Sequence, residues 1–329
     1  MSTRRIPVVV VMPPRALLLD VAGPLEVLRR ASLEQEAVRF DVRYVGVTET
    51  LPTSIGLSVT GLAPLPDSLE DDAMIVVPGS ADAVAFAGDV SDASVERDEA
   101  AIVAWLAARV GATHTLVSVC SGALLAARAG LLDGRECTTH FSVCADLAKL
   151  APSARVHENR LYVADGNRCS SAGVTAGTDL MLHLVAELCS PAVALSVARH
   201  LVVYLRRSGA DPQLSPWLEG RNHIHPAVHR AQDAIAADPS RAWTLAALAR
   251  VANTSARHLS RLFNEHAGMG LPEYINRLRV ALARELLRQT RLDMERVAER
   301  SGFASARQLR RAWRRSYATP PHAARAASR

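Results

Sequence analysis

Apolar and polar positions follow two different rhythms along this chain. Up to about residue 205, short apolar runs that read as strands alternate with stretches of helical period. A strand over 6–12, a helix near 21–31, a strand near 40–47 and another over 73–77 open the series. A helix over 98–109, a strand over 113–119 and a helix beginning at about Ser121 continue it, and short strands fit 161–164 and 168–171. Two apolar helices, 176–189 and 192–205, close it. Alternating order with near-continuous apolar strands is the pattern of a parallel sheet covered by helices on both faces, so residues 1–205 form an α/β domain. Residues 206–226, RRSGADPQLSPWLEGRNHIHP, break the pattern with proline, glycine and polar residues and read as a linker.

Residues 227–329 read as all-α. Leu245, Leu248 and Val251 keep helical spacing, Asn253 interrupts, and Leu259, Leu262 and Phe263 resume, which is helix, tight turn, helix. Asparagine suits the turn because it tolerates a left-handed backbone. The arrangement recurs 49 residues later: Met294, Val297 and Ala298 precede a break at Gly302, and Leu309 and Trp313 follow. An amphipathic segment over 272–289 joins the units, with Tyr274, Ile275, Leu278, Ala281, Leu282 and Leu286 on one apolar face.

Composition changes this picture in three ways. The 329 residues, 49% of them apolar, are enough for two cores. No run of 18 apolar residues occurs, and the apolar run near the start stops at two prolines, so a soluble, unexported, cytoplasmic protein without a membrane partner is expected. Five cysteines without paired spacing argue for a reducing compartment rather than a disulfide framework.

The net charge of +5 conceals an asymmetry, because residues 1–220 carry 18 basic and 25 acidic side chains whereas 221–329 carry 20 and 8. A segment of that sign attracts a polyanion. All of its cations are arginine, but Lys149 is the only lysine in the chain, so the preference for arginine reflects genomic composition. The sign of the C-terminal third does not.

The segments LAALARVANTSARHLSRLFNEHAG, LPEYINRLRVALARELL and VAERSGFASARQLRRAWRRSYATPP resemble the DNA-binding domain of the AraC/XylS regulators over about one hundred residues. The resemblance implies that the second helix of each unit enters the major groove of double-stranded DNA. Carried onto matching positions, it makes Ser255, Arg257, His258 and Arg261 the readers in the first unit, and Ser305, Arg307, Gln308 and Arg311 those in the second. Arg310, Arg314 and Arg315 are expected to meet phosphates. Asn253, Leu309 and Met269-Gly270-Leu271 depart from the family pattern at packing and turn positions.

In the N-terminal domain the strand 113–119 runs straight into Cys120-Ser121-Gly122-Ala123 and a helix. That places Cys120 at a tight elbow beside a helix N-terminus, where a thiolate is favoured. The stretch SVCSGALLAARAGLLDGRECTTHF, with LLLDVAGPLEVL and VVPGS, resembles the ThiJ/PfpI superfamily of the glutamine-amidotransferase-like fold. Joined to AraC-type helices, it is similar to regulators of the GlxA-like or FtrA-like subgroup. The resemblance implies that Cys120 matches the superfamily nucleophile, His140 its neighbouring histidine and Asp20 the acid facing the cysteine. Gly79 and the Ser121 amide fall where oxyanion-holding groups lie.

Other readings stand beside these. Cys120 can be a small elbow residue, a binding residue or a catalytic one, and Asp20 can instead cap the helix that follows it. Cys137, Cys144, Cys169 and Cys189 read as packed small hydrophobes, and His223, His225 and His229 as packing or solvated histidines rather than metal ligands. The glycines of SSAGVTAGTD read as a helix start or a weak anion-binding turn.

The two resemblances imply a sequence-specific transcription regulator that responds to a small metabolite, in related regulators often a nitrogenous one, and that forms a homodimer, for which the helices of 176–205 are expected to offer an apolar surface; no cofactor or metal is expected, and RNA polymerase is a candidate further partner. The alternatives are a cysteine-dependent hydratase- or amidase-like enzyme and a redox sensor acting through Cys120.

Overall fold

In the computed structural model of the chain, which describes residues 3–81, 92–203, 207–209, 211, 213, 220, 221, 223, 225–317 and 319–326, the contacts divide into two compact units after Gln213. The first unit runs β1 (Arg4–Val11), α1 (Leu18–Glu34), β2 (Val38–Gly46), β3 (Thr50–Pro52), β4 (Ser58–Thr60), β5 (Ala63–Pro64), β6 (Met74–Val77), α2 (Asp92–Arg109), β7 (Thr115–Val119) and α3 (Gly122–Arg128). It continues with β8 (Glu136–Cys137), a 3₁₀ turn over Phe141–Val143, α4 (Cys144–Leu150), β9 (Arg155–Val156), β10 (Tyr162–Asp165), β11 (Arg168–Ser171), α5 (Thr175–Leu188) and α6 (Pro191–His200).

The main sheet has the order β10-β11-β7-β6-β1-β2-β5, parallel throughout except for the β10–β11 hairpin at one edge. The valine run of β1 shows why both faces are covered. Val8 and Val10 point into a core shared with α1, α5 and α6, while Val9 and Val11 point into the opposite core shared with α2 and α3. The chain passes from β1 to β2 on one side and returns to β6 on the other. The carboxyl ends of β1 and β6 therefore flank the crevice where such sheets place their sites.

Two expectations shift. The helix expected to reach residue 205 ends at His200. Val202 adopts φ 54°, and the Val203 amide closes back onto the Ala198 carbonyl at 2.9 Å, a left-handed helix stop made without glycine. The expected apolar surface of 176–205 is largely absent. Most of α5 is buried in the core, and Leu195 and Val202 are the large apolar side chains left exposed there, residues 204 and 205 lying outside the described set.

The second unit contains α7 (Pro226–Ala237), α8 (Leu245–Val251), α9 (Ala256–Ala267), α10 (Leu271–Gln289), α11 (Met294–Arg300), α12 (Ala306–Ser316) and α13 (Ala323–Ala326). It has two cores rather than one. Leu271, Tyr274, Ile275 and Leu278 of α10 join α7, α8 and α9, whereas Val280, Ala283 and Leu287 join α11 and α12. The single stripe expected on this connector is therefore replaced by two, and Ala281, Leu282 and Leu286 are only half-buried. The buried face turns because each end of the helix serves a different helix-turn-helix unit. Arg279, between the stripes, donates to the Pro239 and Arg241 carbonyls, both at 2.8 Å.

Among the described residues no helix is long and apolar enough to cross a membrane.

Candidate functional site

Cys120 follows β7 directly and has φ 56°, the left-handed conformation that a tight strand-to-helix elbow requires. Its amide donates to the Ser171 carbonyl at 3.0 Å, and its carbonyl accepts from Thr139 Oγ1 at 2.7 Å. Gly173 lies against it so closely that a Cβ there would fall 2.2 Å from the Cys120 Cβ, and Gly173 also needs φ 81°. Its glycine is thus required twice over by the elbow, which leaves no need for an anion-binding turn.

Asp20 lies in the first turn of α1, fully buried, and does not cap that helix. Its carboxylate reaches across the crevice, Oδ1 accepting from the Val174 amide at 2.5 Å and Oδ2 from the Gly79 amide at 3.2 Å, and it is hydrogen-bonded to the Cys120 thiol. The structure thus brings together Cys120, Asp20, Gly79 and Ser121 as the sequence suggested, but with different roles. The Gly79 amide is held by Asp20 rather than left open for an oxyanion. The Ser121 amide bonds the Cys120 sulfur, while its hydroxyl accepts from the Ser80 amide at 2.9 Å.

The expected thiolate is not what this environment favours. Burial first, and the Asp20 charge second, push the Cys120 thiol up to about 12, outweighing the Ser121 amide. The α3 dipole is too short to compensate, since that helix has seven residues. Burial likewise raises the Asp20 carboxyl above its ordinary range, against the pull of the two amides.

Among the described residues no hydrogen bond links His140 to Cys120 or Asp20. The His140 Nδ1 bonds Ser142 Oγ at 2.7 Å, its ring packs on Phe141, and burial lowers its pKa. Sequence reasoning missed Val174, whose strained φ of 50° aims its amide at Asp20 from 154 residues away, and Thr139. Cys137, Cys144 and Cys169 are buried, Cys189 is half-buried, and all are free thiols. His223, His225 and His229 pack with His266 in one ring cluster, with centroids 4.4 to 5.8 Å apart. Among the described residues no group of His, Cys, Asp or Glu is arranged to hold a metal ion.

In the second unit, both candidate reading helices begin on a serine cap. Ser255 Oγ accepts from the His258 amide at 3.2 Å, and Ser305 Oγ from the Gln308 amide at 3.3 Å. Gln308 Oε1 in turn accepts from the Ala304 amide at 2.9 Å. Ser255, Arg257, His258 and Arg261 are exposed, with Arg261 paired to Glu265 at 3.0 Å. On α12, Arg307, Arg310, Arg311, Arg314 and Arg315 are all exposed, and among the described residues none has an acidic partner. Ser305, Arg307, Gln308, Arg311 and Arg314 line one shallow recess. Leu309 and Trp313 form the buried side of the same helix. One face of α12 is thus fixed to the protein and the other is an uncompensated cationic surface.

Comparison with known proteins assigns both units. The description "Helix-turn-helix domain" matches residues 248–327, and "DJ-1/PfpI family" matches residues 7–187. The HTH-type transcriptional regulator GbdR of Pseudomonas aeruginosa is 30% identical over 312 residues, covering 92% of this chain and 80% of the relative. The chain belongs to the AraC-type helix-turn-helix regulators that carry a DJ-1/PfpI domain. A second such regulator, GlxA of Rhizobium meliloti, is 29% identical over 305 residues, covering 92% of this chain and 90% of GlxA. An isonitrile hydratase of Pseudomonas putida is 30% identical over 203 residues, 60% of this chain and 77% of the enzyme. The α/β domain is therefore shared between regulators and at least one enzyme, while the helical unit identifies this chain as a DNA-binding regulator of transcription.

Proposed function

We propose that this regulator senses a small nitrogenous metabolite over the Cys120–Asp20 elbow without turning it over, and transmits its presence to paired DNA half-sites as a cytoplasmic homodimer. The observation that carries this reading is the use of the elbow's own groups. Asp20 already holds the Gly79 and Val174 amides, Cys120 is kept as a thiol, and His140 bonds elsewhere. A nucleophile needs a thiolate and a base within reach, and an oxyanion hole needs free donors. The same suppression of the thiolate weighs against a peroxide sensor. The elbow geometry and the isonitrile hydratase relative favour a second reading, hydration of a substrate at Cys120.

On the DNA side, Arg257, His258, Arg261, Arg307 and Arg311 read bases, Ser255 and Ser305 fix the helix starts, and Arg310, Arg314 and Arg315 hold phosphates. RNA polymerase is the further partner of an activator.

Thermal-shift screening of the full chain against nitrogenous metabolites, followed by operator titration with each hit, tests the sensing role. A hit that shifts operator affinity and is recovered unchanged supports it. A hit that is consumed by wild type but not by Cys120→Ala favours the hydratase. Arg307→Ala should weaken operator binding by roughly 1–3 kcal/mol and relax one base preference. Equal loss on every sequence refutes its role as a reader. A monomer in sedimentation, both on and off DNA, removes the homodimer.

A further inference from the structure

The stretch read from sequence as a linker is partly built into the first unit. Arg207 donates to Asp179 Oδ2 on α5 from both Nε, at 2.9 Å, and Nη2, at 2.6 Å, and Nη2 also reaches Thr175 Oγ1 at 2.7 Å. Asp179 is buried, so this ion pair is largely shielded from water. The carbonyls of Gly209 and Asp211 both accept from the Leu161 amide, at 3.1 and 3.0 Å. Gln213 is held at both ends. Its amide donates to Asn159 Oδ1 at 3.0 Å, and its side-chain Nε2 donates to the Thr139 carbonyl at 2.7 Å and to Thr138 Oγ1 at 3.3 Å.

Three of these anchors, Thr139, Thr175 and Leu161, are a short step from the Cys120 elbow. Thr139, which receives Gln213, donates its hydroxyl to the Cys120 carbonyl. Thr175, which receives Arg207, follows Val174, whose amide holds Asp20 against the Cys120 thiol. Leu161, which donates to Gly209 and Asp211, accepts from the Ala172 amide at 2.8 Å, and Ala172 precedes the Gly173 packed on Cys120. The anchors thus reach Cys120 through two separate stretches, Thr138-Thr139 and the run 172–175.

We infer that Arg207, Gly209, Asp211 and Gln213 form a strap whose docking is coupled to the state of the Cys120 elbow, so that a group bound over the elbow loosens the strap. The inference rests on the sensing role proposed above and supplies its means of transmission. Coupling of this kind is reciprocal, and that makes it measurable without knowing the effector: loosening the strap must expose Cys120, and a group attached at Cys120 must loosen the strap.

Two variants loosen the strap from outside the elbow. Gly209→Ala places a Cβ 2.5 Å from the Tyr162 carbonyl oxygen, and Gln213→Ala removes the side-chain anchor on Thr138 and Thr139. In the folded full chain, iodoacetamide alkylation of Cys120 is followed by mass spectrometry together with hydrogen exchange of the peptides containing Leu161 and Ser208. Both variants should raise the Cys120 rate about tenfold, the effect of losing one or two well-made hydrogen bonds. Exchange at Leu161 and Ser208 should rise with it. In wild type, carbamidomethylated Cys120 should raise the same exchange. Faster strap exchange with an unchanged Cys120 rate, or an alkylated Cys120 with unchanged strap exchange, overturns the inference. The sensing role fails on a different result, a metabolite that protects Cys120 from alkylation yet leaves operator affinity unchanged.

Discussion

Replacing Asp20 by asparagine tests the pairing at the elbow, because it removes one negative charge at nearly constant size. The Cys120 thiol, only 7% exposed, is pushed up to about 12 by burial and by Asp20. At pH 8 such a thiol is ionised in about one molecule in ten thousand, and each unit of downward shift raises the thiolate about tenfold. The substitution removes the charge and leaves the burial, so the pKa should fall while staying above the value of about 8.5 for an exposed cysteine. Alkylation at pH 8 should accelerate about ten- to a hundredfold, following the thiolate fraction.

The assay is the rate of carbamidomethylation of folded protein between pH 7 and 10. It is read on the tryptic peptide 110–128, in which Cys120 is the only cysteine. The peptide 136–149, carrying Cys137 and Cys144, serves as the reference, since a general opening of the domain would accelerate its thiols too. If Asp20→Asn and wild type gave superimposable pH profiles, Asp20 would not be what holds the proton on Cys120. A wild-type rate that levels off below pH 9 would remove the claim that Cys120 is a thiol at all.

Burial raises the Asp20 carboxyl, so the folded domain keeps a proton that the unfolded chain releases. Its contribution to stability is fully present below the unfolded pKa of about 4 and is lost as pH rises through the folded value. Urea unfolding should therefore show Asp20→Asn losing more stability relative to wild type at pH 4 than at pH 8, and a constant difference would contradict the shift. At the helix-turn-helix turns, Asn253→Gly should be tolerated or stabilising by up to about 1 kcal/mol, since Asn253 is exposed and has φ 53°. Gly302→Ala should cost more than about 2 kcal/mol in the same measurement, because its Cβ would lie 2.5 Å from the Ser240 carbonyl oxygen at φ 83°.

What sequence showed and what it hid follow from the range of the interactions. The alternating strands, the elbow at Cys120 and both helix-turn-helix units rest on neighbours within one or two turns of chain, so periodicity and turn residues revealed them. The use of Asp20 was hidden because its partners, Gly79 and Val174, lie 59 and 154 residues away. Composition also misled at residues 207–213, since proline and glycine suggested a free linker. Gly209 is instead small because Tyr162 leaves no room, and Arg207 and Gln213 are polar because they bond to the domain. On α10 the sequence predicts one continuous stripe, whereas the helix serves two cores and its buried face turns after Leu278.

The two helix-turn-helix units match more closely in their closures than in their residues, and the mismatch bears on how DNA is read. In each, the first helix ends with a left-handed residue followed by a long backbone bond, Thr254 to the Ala249 carbonyl at 3.0 Å and Phe303 to that of Ala298 at 2.8 Å. The second unit then spends one more residue, Ala304, before its serine cap. That residue adds an amide at the exposed start of α12, and Gln308 satisfies it with Oε1 while the Gln308 amide bonds Ser305, a reciprocal cap that His258 does not make in the first unit. Gln308 is thus drawn toward the helix start, which in the proposed reading leaves Arg307 and Arg311 as the base readers of the second unit. Gln308→Ala should lower stability by about 1 kcal/mol while leaving base preferences unchanged across a library of operator variants. A relaxed preference at one position without loss of stability would return Gln308 to the reading set.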